Sequence, residues 1–244
     1  MSGHSHWATI KRKKGATDAK RGQEFSKMVR VITIAAREGG SDPITNSKLR
    51  MVIERAKQLK MPSENIERAI KRGTGGEEGV KLEESMFEAY GPGKVAIIID
   101  TITDNKNRTL GEVKQILNQH GGKLAEVGSV KWMFEQKGAI VVNLINQPED
   151  LKNKEALELK VIEAGAEDIS WFEDNLDVYT KIEELENVKK NLEKENVVIE
   201  SSSLDWIAKD SIPVTDNEKQ SLEKLFEALD ESDSVQNLYS NLAS

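Results

Sequence analysis

The chain has no cysteine, so disulfides, zinc-thiolate sites and cysteine nucleophiles are all excluded. Histidine is nearly as scarce, with three in 244 residues. His4 and His6 stand near the start and His120 beside Gly121-Gly122, and nothing assembles them with serine and aspartate into a triad. Long apolar runs are also missing. The longest aliphatic stretch is Val95-Ala96-Ile97-Ile98-Ile99, far short of the roughly 20 residues that cross a bilayer. The opening Met1-Ser2-Gly3-His4-Ser5-His6-Trp7 lacks the apolar core of a secretory signal, so the expected location is the cytoplasm. Asn107-Arg108-Thr109 matches a glycosylation sequon but carries no meaning in that setting. No G-x-x-x-x-G-K-[ST] loop occurs. The Gly-rich stretch 73–79 contains Glu77 and Glu78, which repel phosphate, and reads as a linker.

What is abundant is charge. Charged residues make up 32% of the chain, and the formal net charge is −7, which by itself argues against a polyanionic partner. The average conceals a division. Residues 1–72 hold 17 Lys+Arg against 7 Asp+Glu, whereas residues 73–244 hold 18 against 35. A basic end on an acidic body is the pattern of a nucleic-acid-binding segment attached to a soluble carrier.

The basic end reads as three short amphipathic helices. Phe25, Met28, Val29, Ile32 and Ala36 share one face of a helix from about Asp18 to Glu38, stopped by Gly39-Gly40. Leu49, Val52, Ile53, Ala56 and Leu59 form a second stripe between Pro43 and Pro62. Ser63 is placed to cap a third helix whose inner face is Ile66, Ala69 and Ile70. The outward positions carry Lys20, Arg21, Lys27, Arg30, Arg37, Lys48, Arg50, Arg55, Lys57, Arg68, Lys71 and Arg72. Ahead of them stand Lys11-Arg12-Lys13-Lys14, four consecutive cations that an extended arm can lay along a phosphate backbone. Trp7 either stacks on a base or packs the arm onto the bundle beside Ile10.

In the acidic body the period shortens. Residues 85–90, the turn Gly91-Pro92-Gly93 and residues 95–102 read as a hairpin. Strand 139–144, helix 149–164, strands 169–172 and 176–180, helix 183–195 and strand 197–201 follow the β-α-β-β-α-β ferredoxin-like order. Strand 95–102, helix 108–119, strand 129–135, strand 211–214, helix 216–230 and strand 235–240 repeat that order, with Thr215 and Glu218 forming a capping box. The expected fold is therefore α+β: an N-terminal three-helix bundle, then two ferredoxin-like α/β domains, one inserted in the other. The expected division is residues 1–79, residues 80–136 with 208–244, and the inserted residues 137–207. The nesting requires strand 129–135 to pair with 211–214 or 235–240.

Two further clusters carry possible chemistry. Thr103 to Thr109 is a polar strand-to-helix loop that can offer Lys106, Arg108 and helix amides to phosphate. Asp100, Asp104, Glu112 and Glu126 could gather around Mg²⁺ as a nuclease site, although carboxylates are common here. With Met1 removed, Ser2-Gly3-His4 could also chelate Cu²⁺ or Ni²⁺ incidentally. The preferred expectation is no catalytic residue, no metal and no cofactor.

Gly3-His4-Ser5-His6-Trp7, Asp18-Ala19-Lys20-Arg21-Gly22 and Asn65-Ile66-Glu67-Arg68-Ala69-Ile70-Lys71 resemble the YebC/PmpR family. So do Tyr90-Gly91-Pro92-Gly93, Thr103-Asp104-Asn105, Gly128-Ser129-Val130, Trp132-Met133-Phe134 and Val235-Gln236-Asn237-Leu238-Tyr239. The motifs fall in order over essentially the whole chain, and Ser47, where the family often has Pro, is a small departure. The resemblance implies three domains and a non-enzymatic regulator of gene expression. Bacterial members are described as probable DNA-binding transcriptional regulators, and organellar relatives as translational activators of a cytochrome oxidase subunit. A ribosome-associated role relieving stalling at proline-rich stretches is also implied. A start at the family motif points to a bacterial cytoplasmic member.

The resulting expectation is a nucleic-acid-binding regulator of transcription or translation. Its partners are DNA or ribosomal RNA and the ribosome, with no membrane. The candidate contacts are Lys11, Arg12, Lys13, Lys14, Lys20, Arg21, Arg30, Lys71, Arg72, Lys106 and Arg108. The alternatives are a protein-interaction module that grips a basic partner through the acidic domains, and a metal-dependent nuclease.

Overall fold

The structure is a computed structural model that describes residues 18–76 and 81–243, with side chains from Gly22 onward. The basic end forms α1 (Asp18–Gly39), α2 (Ser47–Gln58) and α3 (Ser63–Gly73). Their common core is Met28, Ile32, Ala35, Ala36, Leu49, Ala56, Met61, Ile66 and Ala69, so the stripes read from the period are the buried faces. Two helix starts have causes that the stripes do not show. Asn46 caps α2, accepting the Leu49 N–H at 2.9 Å, and its amide donates to the carbonyls of Ala35 and Gly40. One buried side chain thus starts α2 and binds the end of α1. At α3 the cap position belongs to Pro62, and Ser63 is the first helical residue with no capping role. Proline sets an extended entry there (φ −59°, ψ 137°), which the expected serine cap would otherwise have to supply. Position 73 takes glycine because α3 lies against α1 there: a Cβ would come 2.4 Å from the Thr33 carbonyl oxygen.

The first sheet contains β1 (Glu83–Tyr90), β2 (Ala96–Thr103), β3 (Lys123–Leu124) and β8 (Val235–Ser240), in the order β3-β1-β2-β8, antiparallel throughout. Helices α4 (Lys106–Gln119) and α7 (Asp216–Asp230) cover one face. Ile97 and Ile99 point into that layer with Phe87, Val113, Leu117, Leu225 and Phe226. Ala96 and Ile98 point the other way, onto Val130, Phe134, Ala208 and Tyr239. Burial on both faces explains why β2 is a continuous aliphatic run and not an alternating one.

The second sheet contains β4 (Phe134–Asn143), β5 (Asp168–Phe172), β6 (Asn175–Thr180) and β7 (Ile199–Ala208), in the order β5-β6-β4-β7. With α5 (Lys154–Glu163) and α6 (Leu185–Lys194) it has the ferredoxin-like connection and strand order expected from sequence. The chain leaves the first sheet after β3, builds the second, and returns through α7 and β8. The molecule is α+β, with a helical bundle and two four-stranded antiparallel sheets.

One part of the expectation is corrected: the pairing that the nesting requires is absent, and the second sheet is inserted between β3 and β8 without it. Residues 129–135 do not enter the first sheet: residues 131–133 form a single helical turn, and β4, which begins at Phe134, pairs with β6 and β7. Residues 211–214 contribute only the bridge from Ile212 to Leu242. β8 does lie beside β2, but the next two places are taken by β1 and β3. The cause is local. The hairpin turn, with Gly93 at φ 65°, brings β1 to β2 at small loop-closure cost. The Glu88 carboxylate on β1 accepts the N–H groups of Gly128, Val130 and Lys131, which curls that segment away from any ladder.

Candidate nucleic-acid interface

α1 is the axis on which the cations are arranged, and most of its central residues are buried. Lys27, expected to face outward, is buried instead, with Nζ 2.9 Å from Asp230 Oδ1 at the end of α7. Lys27 and Gln23 also donate to α7's terminal backbone carbonyls, which lack intrahelical partners. The reason is geometric: a cation beside a helix C-terminus meets both the orphan carbonyls and the negative end of the dipole. One turn further on, the Arg30 guanidinium donates to the Ile102 carbonyl at 2.9 Å. Arg37 donates to the Leu82 carbonyl, Lys48 pairs with Glu84 at 3.1 Å, and Arg50 reaches Glu186 at 3.5 Å. In the reverse sense, Lys189 of α6 pairs with Glu54 of α2 at 2.6 Å. Five cations of the bundle therefore fasten it to the two sheet domains.

The remaining candidates fall into separated groups. The run Lys11-Arg12-Lys13-Lys14 lies outside the described residues, as do Trp7 and Ser2-Gly3-His4. Lys20 and Arg21 belong to the first turn of α1, where only the backbone is described. Lys106 and Arg108 open α4, beside the segment that Arg30 holds, and both are exposed. Lys71 and Arg72 are exposed at the end of α3, which packs near Ala36 of α1. At about 1.5 Å per helical residue, that is roughly 22 Å along α1 from Arg21. Lys57, Lys60 and Arg68 are also exposed, the first two at or just past the end of α2 and the third midway along α3.

The loop before α4 is a firmly capped turn. Asn105 accepts the Arg108 N–H at 3.0 Å, Thr103 Oγ1 accepts the Asn105 N–H at 3.0 Å, and the Thr103 and Thr109 hydroxyls are bonded at 2.8 Å. Asp104 pairs with Arg108. Its carboxyl is held below the usual range first by its own backbone N–H and then by Arg108, with Arg30 contributing at longer range. Arg108 is therefore positioned, but part of its charge is already matched.

The four carboxylates considered for Mg²⁺ are not brought together. Asp100 is in β2, Asp104 in the loop after it, Glu112 on the exposed side of α4, and Glu126 beyond β3. Among the described residues no group of three or more His, Asp or Glu is placed to hold a metal. Asp100 instead lies near Asp205 and Glu84. Burial first, and then those two like charges, raise its pKa from 3.8 to about 7 against the opposing Lys131. Tyr239 donates to Asp205 at 3.4 Å, and burial first, then Asp205 and Asp100, push its phenol well above 10.

The alternation with Val130 and Phe134 predicts a strand for Trp132. The structure instead leaves it 65% exposed on the loop before β4. Gly128, at φ 87°, was the available sign that a loop precedes it. Among the described residues no helix is long and apolar enough to cross a membrane.

A cationic helical bundle, pinned by its own basic side chains to an acidic two-sheet body, defines a three-part α+β protein. The chain belongs to the TACO1/YebC family: residues 5–76 match its N-terminal domain and residues 82–242 its second and third domains. A "probable transcriptional regulatory protein" of Persephonella marina is 50% identical over 243 residues, covering 99% of this chain and 95% of that protein. One of the same description from Pseudothermotoga lettingae is 48% identical over 242 residues, covering 99% and 93%. The crystal structure of a conserved hypothetical protein from Aquifex aeolicus superposes with a TM-score of 0.89 at 44% identity, covering 98% of this chain and 97% of that one.

Proposed function

We propose that this protein is a non-enzymatic, cytoplasmic regulator of gene expression that binds nucleic acid through its basic end, with RNA of the ribosome as the target. The observation that carries the reading is the division of the bundle's cations. Five are used to dock it, while Lys57, Lys60, Arg68, Lys71 and Arg72 stay exposed, beyond the run at 11–14. The contacts to phosphate are assigned to Lys11, Arg12, Lys13, Lys14, Lys20, Arg21, Lys71, Arg72, Lys106 and Arg108, with Arg30 bonded instead to Ile102 near the end of the strand that leads to the last two.

RNA is favoured over DNA by the packing of the helices. α1 has most of its central residues buried, and α2 faces α6 through Glu54 and Lys189. Neither can enter a major groove as a recognition helix does. Cations dispersed over the bundle suit recognition of shape and phosphate, as in folded RNA. The domain division 1–79, 80–136 with 208–244, and 137–207 is kept as part of this proposal, with β4 and β7 crossing its borders as rigid connections.

A second reading, a protein-binding module, is favoured by Leu159 and Ile162, exposed side by side on α5 among acidic residues. Crosslinking in cells, with sequencing of both bound RNA and bound DNA, separates the outcomes. Ribosomal RNA is expected. Promoter DNA would transfer the function to transcription, and recovery of neither would leave the protein-binding reading.

A further inference from the structure

We propose that the loop joining β3 to β4 is a stacking platform for one unpaired RNA base, with Trp132 as the aromatic surface. This rests on the nucleic-acid reading above and assigns it a second, separate contact.

Tryptophan normally gains stability by burying its large ring. Trp132 does not: it is 65% exposed, and its position is fixed by its polar edge, the indole N–H donating to the Ser129 carbonyl at 2.9 Å. The loop that carries it is held from beneath. Buried Glu88 accepts the N–H groups of Gly128 and Val130 at 2.6 Å and of Lys131 at 2.8 Å, and the Tyr90 hydroxyl donates to the Ser129 carbonyl at 3.2 Å. Lys209 donates to the Trp132 carbonyl at 3.0 Å from the far end of β7. The ring is therefore presented in an ordered setting, and a base that stacks on it does not have to order the loop first.

The neighbours select the ligand. The ammonium of Lys131 sits 4.9 Å from the centre of the Trp206 ring, and that of Lys209 lies against the Trp132 backbone. Lysine is depleted at the centres of protein–protein interfaces. Both ammonium groups are already engaged, one on the Trp206 ring and the other on the loop's own backbone, which leaves the exposed indole face to an uncharged stacking partner such as a base. Exposed Glu126 and Glu135 near the two ends of the loop, with the Glu88 carboxylate beneath it, outweigh the two ammonium groups. The contact is consequently a stacking site for a single base, not a track for a backbone. It adds affinity for unpaired RNA without adding to the salt dependence.

The test uses the full-length protein with a fluorescent oligouridylate and an RNA duplex of equal length, titrated over a range of salt concentrations. Trp132→Ala is expected to weaken oligouridylate binding about tenfold, to leave duplex binding unchanged, and to leave the slope of log K against log salt unchanged. Trp132→Phe keeps a stacking ring and is expected to stay within about threefold of the parent. Unchanged oligouridylate binding by Trp132→Ala overturns the proposal, as does an equal loss for the duplex. If the parent protein binds neither RNA, the nucleic-acid reading itself has failed, an outcome distinct from both of these.

Discussion

Lys27 shows how a residue's role depends on what its helix meets. Its spacing places it on the arc opposite Met28 and Ile32, which in an isolated bundle faces water. Here that arc is covered by the end of α7, and the ammonium is matched by Asp230 and by terminal carbonyls. Lys27→Met should lower stability by about 2 kcal/mol, the usual loss for a charged hydrogen-bonded pair, measurable by urea unfolding. A loss near zero would mean that the pair does not fasten the bundle. The Asp100 carboxyl makes a different prediction, with a defined sign. Below pH 3.8 it is protonated in folded and unfolded chains alike; between there and about 7 only the folded state keeps the proton. Stability attributable to this group therefore falls as pH rises across that interval, by at most about 1.4 kcal/mol per pH unit. Asp100→Asn removes the effect, so the melting temperature of the variant relative to the parent should climb from pH 4 to pH 8. A constant difference would show that Asp100 is not held in that acidic, desolvated setting.

At the scale of elements, the three amphipathic stripes and the ferredoxin-like order of the second sheet were legible because period and turn residues are local signals. Pairing across the first sheet was not legible. Val130, Trp132 and Phe134 alternate as a strand does, but the buried carboxylate of Glu88, some forty positions earlier, takes the amides of Gly128, Val130 and Lys131. The same limit applies to α2, where the cap is a buried asparagine whose amide also reaches Ala35 and Gly40. Asn46→Ala should cost about 2 kcal/mol, more than an exposed cap, because it leaves buried backbone groups unpaired. Thermal unfolding of the full chain checks this, and a change below about 0.5 kcal/mol would contradict it.

Over the whole molecule, the division of charge is visible in the sequence, and the structure changes what it means. The cations are not a uniform coat on the bundle. Lys27, Arg30, Arg37, Lys48 and Arg50 hold the basic end on the acidic body and fix its orientation. The long strands β4 and β7 do the same between the sheets, since Phe134 and Ala208 pack with Ala96, Ile98 and Tyr239. None of this could be read from composition, because docking contacts join residues as many as 208 positions apart. On the proposed reading, the cations left for nucleic acid are the run at 11–14, the start of α1, the exposed cations of α2 and α3, and the start of α4. In the proposed function, phosphate contact by this basic end dominates binding. It is tested most directly by the salt dependence of RNA affinity in the parent and in a variant with Lys11, Arg12, Lys13 and Lys14 all changed to Ala. At about 0.9 per duplex phosphate, the log–log slope should flatten by about 3–4 units as affinity falls, whereas an unchanged slope would remove the arm from the interface and contradict the account.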